Sequence, residues 1–174
     1  MPQRLFIVRH AIAEPRGKKQ RPNDDRPLTA EGIRRMTVAA AGLATILSDD
    51  VVIMTSPLRR ASRTAALIRT AVNAKKSEVA SDLLLPEADP DLLIDALRER
   101  SDLSSLVLVG HEPFLGRLIS RLTGLPESFI VLKKGGCCVV RWSPNGEEPA
   151  RITMLLPPKV LRTLGSRRTV SSRR

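Results

Sequence analysis

Short apolar runs alternate along this chain with longer stretches in which apolar residues recur every three or four positions. Leu5–Val8 has the continuous apolar character of a buried strand. Thr29 then offers an N-cap, and Ile33, Met36, Ala40, Leu43 and Leu47 follow at helical spacing. Val51–Met54 predicts a second strand. Ser56 and Pro57 read as a cap with proline at the first helical position, opening a helix whose stripe is Leu58, Ala61, Ala65, Ile68 and Val72. A weaker third strand is expected near Glu78–Leu84. Asp89 and Pro90 start another helix, with Leu93, Ala96 and Leu97 inward. Leu106–Val109 is the next strand, and Leu115, Leu118, Ile119 and Leu122 mark the helix after it. Strands and helices in strict alternation imply a parallel α/β core with helices on both faces.

The final third breaks the alternation. Cys137–Trp142 and Arg151–Leu156 flank Pro144, Asn145 and Gly146, a turn signal, so the two runs are expected to pair as antiparallel strands on one side of the sheet. A short helix should begin near Pro158. No repeat or low-complexity linker interrupts the pattern. The expectation is one domain over residues 1–164, followed by a basic, flexible tail over residues 165–174.

Composition narrows the class. A chain of 174 residues can bury a core without disulfide or metal staples. With 42% hydrophobic and 27% charged residues it reads as soluble and globular. No apolar run approaches the roughly 18 residues that would span a bilayer, and the amino terminus passes directly into the first strand without a leader pattern. The two cysteines, Cys137 and Cys138, are neighbours. Adjacent Cα atoms lie about 3.8 Å apart, too close for ordinary disulfide geometry. A reducing, cytoplasmic setting follows as the expectation.

The net charge of +11 is unevenly spread. Residues after Glu148 carry +7 with no acid among them, leaving +4 for the first 148. A pI of about 10.9 raises the alternative of a non-enzymatic nucleic-acid-binding module. Aromatics amount to only 2% with no tyrosine, so stacking platforms are scarce, and no helix-turn-helix or zinc-finger spacing occurs.

Three strand-to-helix junctions carry the chemistry. The first strand ends in Arg9, His10 and Ala11, the second in Thr55 to Ala61 with Arg59 and Arg60, and the fourth in Gly110, His111, Glu112 and Pro113. Ligands of open parallel sheets bind at this edge, where helix amino termini add free N–H groups suited to an anion. Singly, each piece is weak. A lone histidine after a strand is more often structural, and an arginine pair is more often a solvated helix face. Periodicity does not separate Arg59 from Arg60, and Arg26 could simply pair with Asp24 or Asp25. Convergence of both histidines and several arginines on one edge points to phosphate.

These residues carry a family resemblance. Arg9-His10-Ala11, Arg26 to Thr29 with Glu31 and Gly32, Ser56 to Ala61 with Thr64 and Ala65, and Gly110 to Pro113 resemble the histidine phosphatase superfamily. Length and motif order are most similar to its SixA-type phosphohistidine phosphatases, as are Leu156 to Lys159 with Leu161. The resemblance implies a phosphoglycerate mutase-like, three-layer αβα sandwich with a mostly parallel sheet. It implies His10 as nucleophile, Arg9, Arg60 and His111 as phosphate ligands, and Arg26 as a further one. It also implies a histidine-phosphorylated protein, such as a signalling domain, as partner. The superfamily pattern has glycine after the histidine where this chain has Ala11. A methyl group there argues against a glycine-only backbone conformation.

The chemistry agrees with the residue types. Neutral imidazole can attack phosphorus near neutral pH, and arginines can hold the equatorial oxygens of the transition state. No metal or other cofactor is expected, since two histidines and an adjacent cysteine pair do not form a zinc pattern. The candidate general acids are Glu14, Glu87, Asp89 and Glu112. Asp89 also suits an N-cap and Glu112 a first helical turn, while Glu14 and Glu87 lie in loops where either role is open and stand with Arg26 as the substrate-binding candidates. Phosphohistidine, whose leaving nitrogen takes up a proton readily, is the expected substrate, with a small phosphorylated metabolite acted on by a phosphatase or mutase as the alternative. The loop between Ala11 and Leu28, with Arg16, Lys18, Lys19 and Arg21, is expected to rim the site.

Overall fold

The structure, a computed structural model, describes residues 3–15, 17, 25–48, 50–74, 78–100, 104–127 and 129–171. Arg16, Lys18, Lys19 and Arg21, expected to rim the site, lie outside the described residues. Among the described residues, five helices surround one six-stranded sheet of order β3-β2-β4-β1-β5-β6. β1 (Gln3–Arg9), β2 (Val52–Thr55), β3 (Glu78–Ala80) and β4 (Ser105–Gly110) run parallel. β5 (Cys137–Trp142) pairs antiparallel with β1, and β6 (Arg151–Leu156) antiparallel with β5. β2 and β4 are buried along their whole length, which is why they appear in the sequence as unbroken apolar runs rather than as alternations.

Helices cover both faces. α1 (Ala30–Leu43), α2 (Arg59–Val72) and α5 (Pro158–Ser171) pack on the face bearing Phe6, Val8, Val107 and Val109. α3 (Pro90–Arg98) and α4 (Phe114–Thr123) pack on the face bearing Leu5, Ile7, Leu106 and Leu108. The expected three-layer αβα sandwich is therefore the observed fold. Successive side chains of a strand alternate between faces, so each central strand contributes to both cores.

Several boundaries differ from the sequence reading. Thr29 caps α1 as expected, its hydroxyl accepting from Gly32 N at 2.9 Å, but the helix stops at Leu43 and Leu47 lies beyond it, half-buried against the core. α2 begins at Arg59, not at Pro57. Ser56 is not its cap: its backbone N–H continues the pairing with β4 through Val109 O at 3.0 Å. The third strand ends at Ala80, because the Ser81 hydroxyl accepts from Leu83 N and turns the chain into a single 3-10 turn, Asp82–Leu84. In α3, Ile94 fills the buried position, and Ala96 is only half-buried.

The carboxyl-terminal boundary is also displaced. Residues 165–171, expected in a flexible tail, continue α5. Gly165 is buried where α5 crosses α1: a Cβ there would lie 1.9 Å from Val38 O, and one on Gly42 would lie 2.0 Å from Leu161 O. Two glycines let the helix backbones meet directly, so the helix runs on past the point where its sequence turns polar. Residues 172–174 lie outside the described residues. Among the described residues no helix is long and apolar enough to cross a membrane.

Candidate active site

The end of β1 is pinned from both sides. His10 N donates to Gly110 O at the end of β4 at 3.0 Å, and Arg9 N donates to Gly136 O at 3.1 Å. Gly135 N in turn reaches both Arg9 O (3.1 Å) and His10 O (3.2 Å). The His10 side chain is thereby delivered at the strand edge and is only 6% exposed. Its Nδ1 lies 2.7 Å from Ala11 O. A carbonyl can only accept, so the neutral ring carries its proton on Nδ1 and its lone pair on Nε2. Burial pushes the pKa of His10 down to about 3; Arg60, Arg9 and Lys134 add to the shift, and the bond to Ala11 opposes it. Asn73 is the one non-glycine residue of positive φ among the described residues, so Ala11 requires no glycine conformation.

The two arginines at the start of α2 part company on folding. One residue turns a helix by about 100°, and here that step separates a buried Arg60, 3% exposed, from an exposed Arg59. Thr64, one turn on and fully buried, accepts from Ala11 N at 3.0 Å and donates to Arg60 O at 2.7 Å. It ties the segment after His10 to the turn that carries Arg60. Arg59 faces a separate surface groove with Arg63, and its backbone N–H donates to an Asp25 carboxylate oxygen.

Arg9 is positioned through a peptide group. Its Nη1 donates to Leu132 O at 2.7 Å, while Leu132 N donates to Glu112 Oε1 at 2.7 Å. The second oxygen of Glu112 accepts from Gly116 N at 3.1 Å. Burial lowers the Arg9 pKa from its ordinary value, and Glu112 opposes that shift. His111 follows β4, is 2% exposed, and places Nε2 2.9 Å from Ser56 Oγ. Its ring centroid is 5.1 Å from that of His10, the planes inclined by 53°.

Arg9, His10, Arg26, Arg60 and His111 line one cavity of about 260 Å³, with Glu87 and Glu112 also on its wall. Arg26 is held by Glu14 O, 2.8 Å from its Nη1. Glu14 contributes that carbonyl but is not among the lining residues. Asp89 caps α3, accepting from Asp91 N at 2.9 Å. Lys134 lines the cavity as well and was not singled out in the sequence. It lies in the turn before β5, which only the β1–β5 pairing brings beside His10. The anchoring roles of Ser56 and Thr64 were also not read from the sequence, because they depend on the end of β2 lying beside β4 and on α2 packing against the segment after β1. Among the described residues no cluster of three or more His, Cys, Asp or Glu side chains could hold a metal ion.

Known proteins resemble this chain in sequence and in fold. Residues 5–89 match the family described as the histidine phosphatase superfamily (branch 1). An uncharacterized protein of Picosynechococcus sp. is 32% identical over 140 residues, covering 79% of this chain and 84% of that protein. The chain belongs to the histidine phosphatase superfamily. It is a phosphatase, which sets aside the non-enzymatic reading. The family match takes in His10, Arg26 and Arg60, while His111 lies beyond it.

Solved structures share the fold of this superfamily member. The protein histidine phosphatase SixA in complex with tungstate superposes with a TM-score of 0.80 at 22% identity, covering 91% of this chain and 99% of that one. A mycobacterial glucosyl-3-phosphoglycerate phosphatase in complex with VO3 gives 0.70 at 15% identity, covering 89% and 99%.

Proposed function

We propose that this phosphatase hydrolyses phosphohistidine on a protein partner, such as a signalling domain, through a covalent intermediate on His10. One observation carries the reading. The His10 ring is neutral at physiological pH, its Nδ1–H is committed to Ala11 O, and its Nε2 lone pair remains for attack within an arginine-lined cavity. Nε2 attacks phosphorus in line, the bond from phosphorus to the leaving nitrogen breaks, and that nitrogen takes up a proton. Water then attacks the phosphoryl group, the Nε2–P bond breaks, and phosphate leaves with His10 neutral again. Arg9, Arg60 and His111 bind the non-bridging oxygens, where charge is spread in the transition state. Arg26 and Lys134 add positive charge at the wall of the cavity.

The leaving group favours phosphohistidine. Both oxygens of Glu112 accept backbone N–H bonds, so this carboxylate acts as a clamp. The exposed Glu87 is the carboxylate left to assist departure. An imidazole nitrogen, titrating near roughly 6.5, needs less such help than an alkoxide. The likeness to a protein histidine phosphatase supports the same reading. A cytoplasmic location belongs to this proposal and is supported by the buried free thiols of Cys137 and Cys138. A second reading, a phosphatase for a small metabolite, is favoured by the Glu87 carboxyl on the cavity wall and by the likeness to a metabolite phosphatase.

Rapid quenching during turnover tests the chemistry: an acid-labile, alkali-stable phosphoryl group is expected on His10 and absent from His10→Ala. Steady-state comparison tests the substrate. A histidine-phosphorylated domain should exceed a panel of sugar phosphates in kcat/KM by on the order of ten-fold, and the reverse ranking would establish the metabolite reading.

A further inference from the structure

A second cavity, of about 180 Å³, opens beside the catalytic one and shares Lys134 with it. Its floor is apolar, built from Ala11, Met36 and Ala39, all buried. Its rim is cationic and comes from three separate elements. α1 supplies Arg35, the turn before β5 supplies Lys133 and Lys134, and α5 supplies Lys159 and Arg162. No carboxylate of a described residue lines it, although Arg35 is paired with Glu31 one turn back. Because the glycine contact locks α1 to α5, the two helical walls are held at a set spacing.

We infer that this groove docks an acidic segment of the protein whose phosphohistidine occupies the catalytic cavity. The inference rests on a protein phosphohistidine being the substrate. Continuity through Lys134 makes one extended ligand the natural occupant, its phosphoryl group beside His10 and its flanking carboxylates on the rim. Charge complementarity selects acid, and the apolar floor accepts the methylene stems between acidic groups. No aromatic side chain of a described residue lines the groove, which removes the stacking surface a single-stranded nucleic acid would use. Lys133 and Lys159 are exposed and lie outside the catalytic cavity, so they can be altered without disturbing its lining.

The test compares two phosphohistidine peptides, identical except that Glu and Asp flanks in one are Gln and Asn in the other. Phosphoramidate serves as a substrate too small to reach the groove. The wild-type enzyme is expected to prefer the acidic peptide in kcat/KM by about five-fold, the scale of one or two exposed ion pairs. Added salt should shrink that preference. In K133E/K159E the preference should vanish or invert through KM, with phosphoramidate turnover unchanged. Equal cleavage of both peptides by the wild-type enzyme would overturn the groove while leaving the protein-phosphohistidine reading intact. Cleavage of phosphoramidate but of neither peptide would overturn both. A parallel fall in all three substrates in K133E/K159E would also count against docking, because it would trace the effect to the chemistry.

Discussion

His10, the reacting group of the proposed mechanism, is also a source of acid sensitivity because it is buried. Its pKa is about 3 in the folded protein, against roughly 6.5 for an unfolded histidine. Between those values the unfolded chain binds the extra proton, so stability falls as pH drops from about 6.5 toward 3. The slope from this one group is up to about 1.4 kcal/mol per pH unit. His10→Asn should therefore lose less Tm than the wild-type protein between pH 7 and pH 5, as differential scanning calorimetry would read. Identical losses would show that the ring is not held neutral by the fold. The arginines supply the second expectation at this scale. Arg60→Ala should lower kcat/KM by about a hundred- to thousand-fold, as loss of an oxyanion donor does. Arg59→Ala, exposed and facing another groove, should cost less than about ten-fold on the same scale. Equal losses in steady-state assays would place both arginines on the substrate.

Among the elements, α5 shows how a backbone contact outweighs local composition. Its carboxyl-terminal half is polar and basic, which reads as a solvated end, yet Gly165 sits against Val38 O and extends the helix. Gly165→Ala forces a Cβ into that carbonyl and should destabilise the protein by about 2 kcal/mol or more, the cost of overpacking a tight contact. Arg167→Ala, exposed on the same helix, should be neutral. Urea titration of the two variants makes the comparison, and an unchanged midpoint for Gly165→Ala would mean that α5 does not dock through this residue. The central strands, in contrast, were legible from the chain because burial on both faces leaves no room for polar alternation. Helix starts were less so. Ser56 has the chemistry of a cap, but its N–H serves the sheet and its hydroxyl is shared between His111 and the backbone N–H of Leu58, which itself holds the cap position of α2.

Across the whole molecule, positive charge collects where phosphate chemistry needs it. The first 148 residues carry a net +4, yet three of their basic residues, Arg35, Lys133 and Lys134, join Lys159 and Arg162 of α5 around a single groove beside the candidate active-site cavity. Hydrophobic periodicity already implied the alternating parallel core, and the strand-end positions of Arg9, His10, the Arg59–Arg60 pair and His111 already implied an anion site at one edge. Those features are local: they depend on which residues follow a strand, and in parallel strands all such ends lie on the same side. Assembly in three dimensions settled the rest. Pairing of β5 with β1 brought Lys134 to His10, helix rotation chose Arg60 over Arg59, and the Leu132 peptide turned Glu112 into an anchor for Arg9. It also left Glu14 off the wall of the cavity and set Gly165 of α5 against α1. Periodicity records how one element is buried; it carries no record of strand order or helix crossing, and contacts between distant segments depend on both.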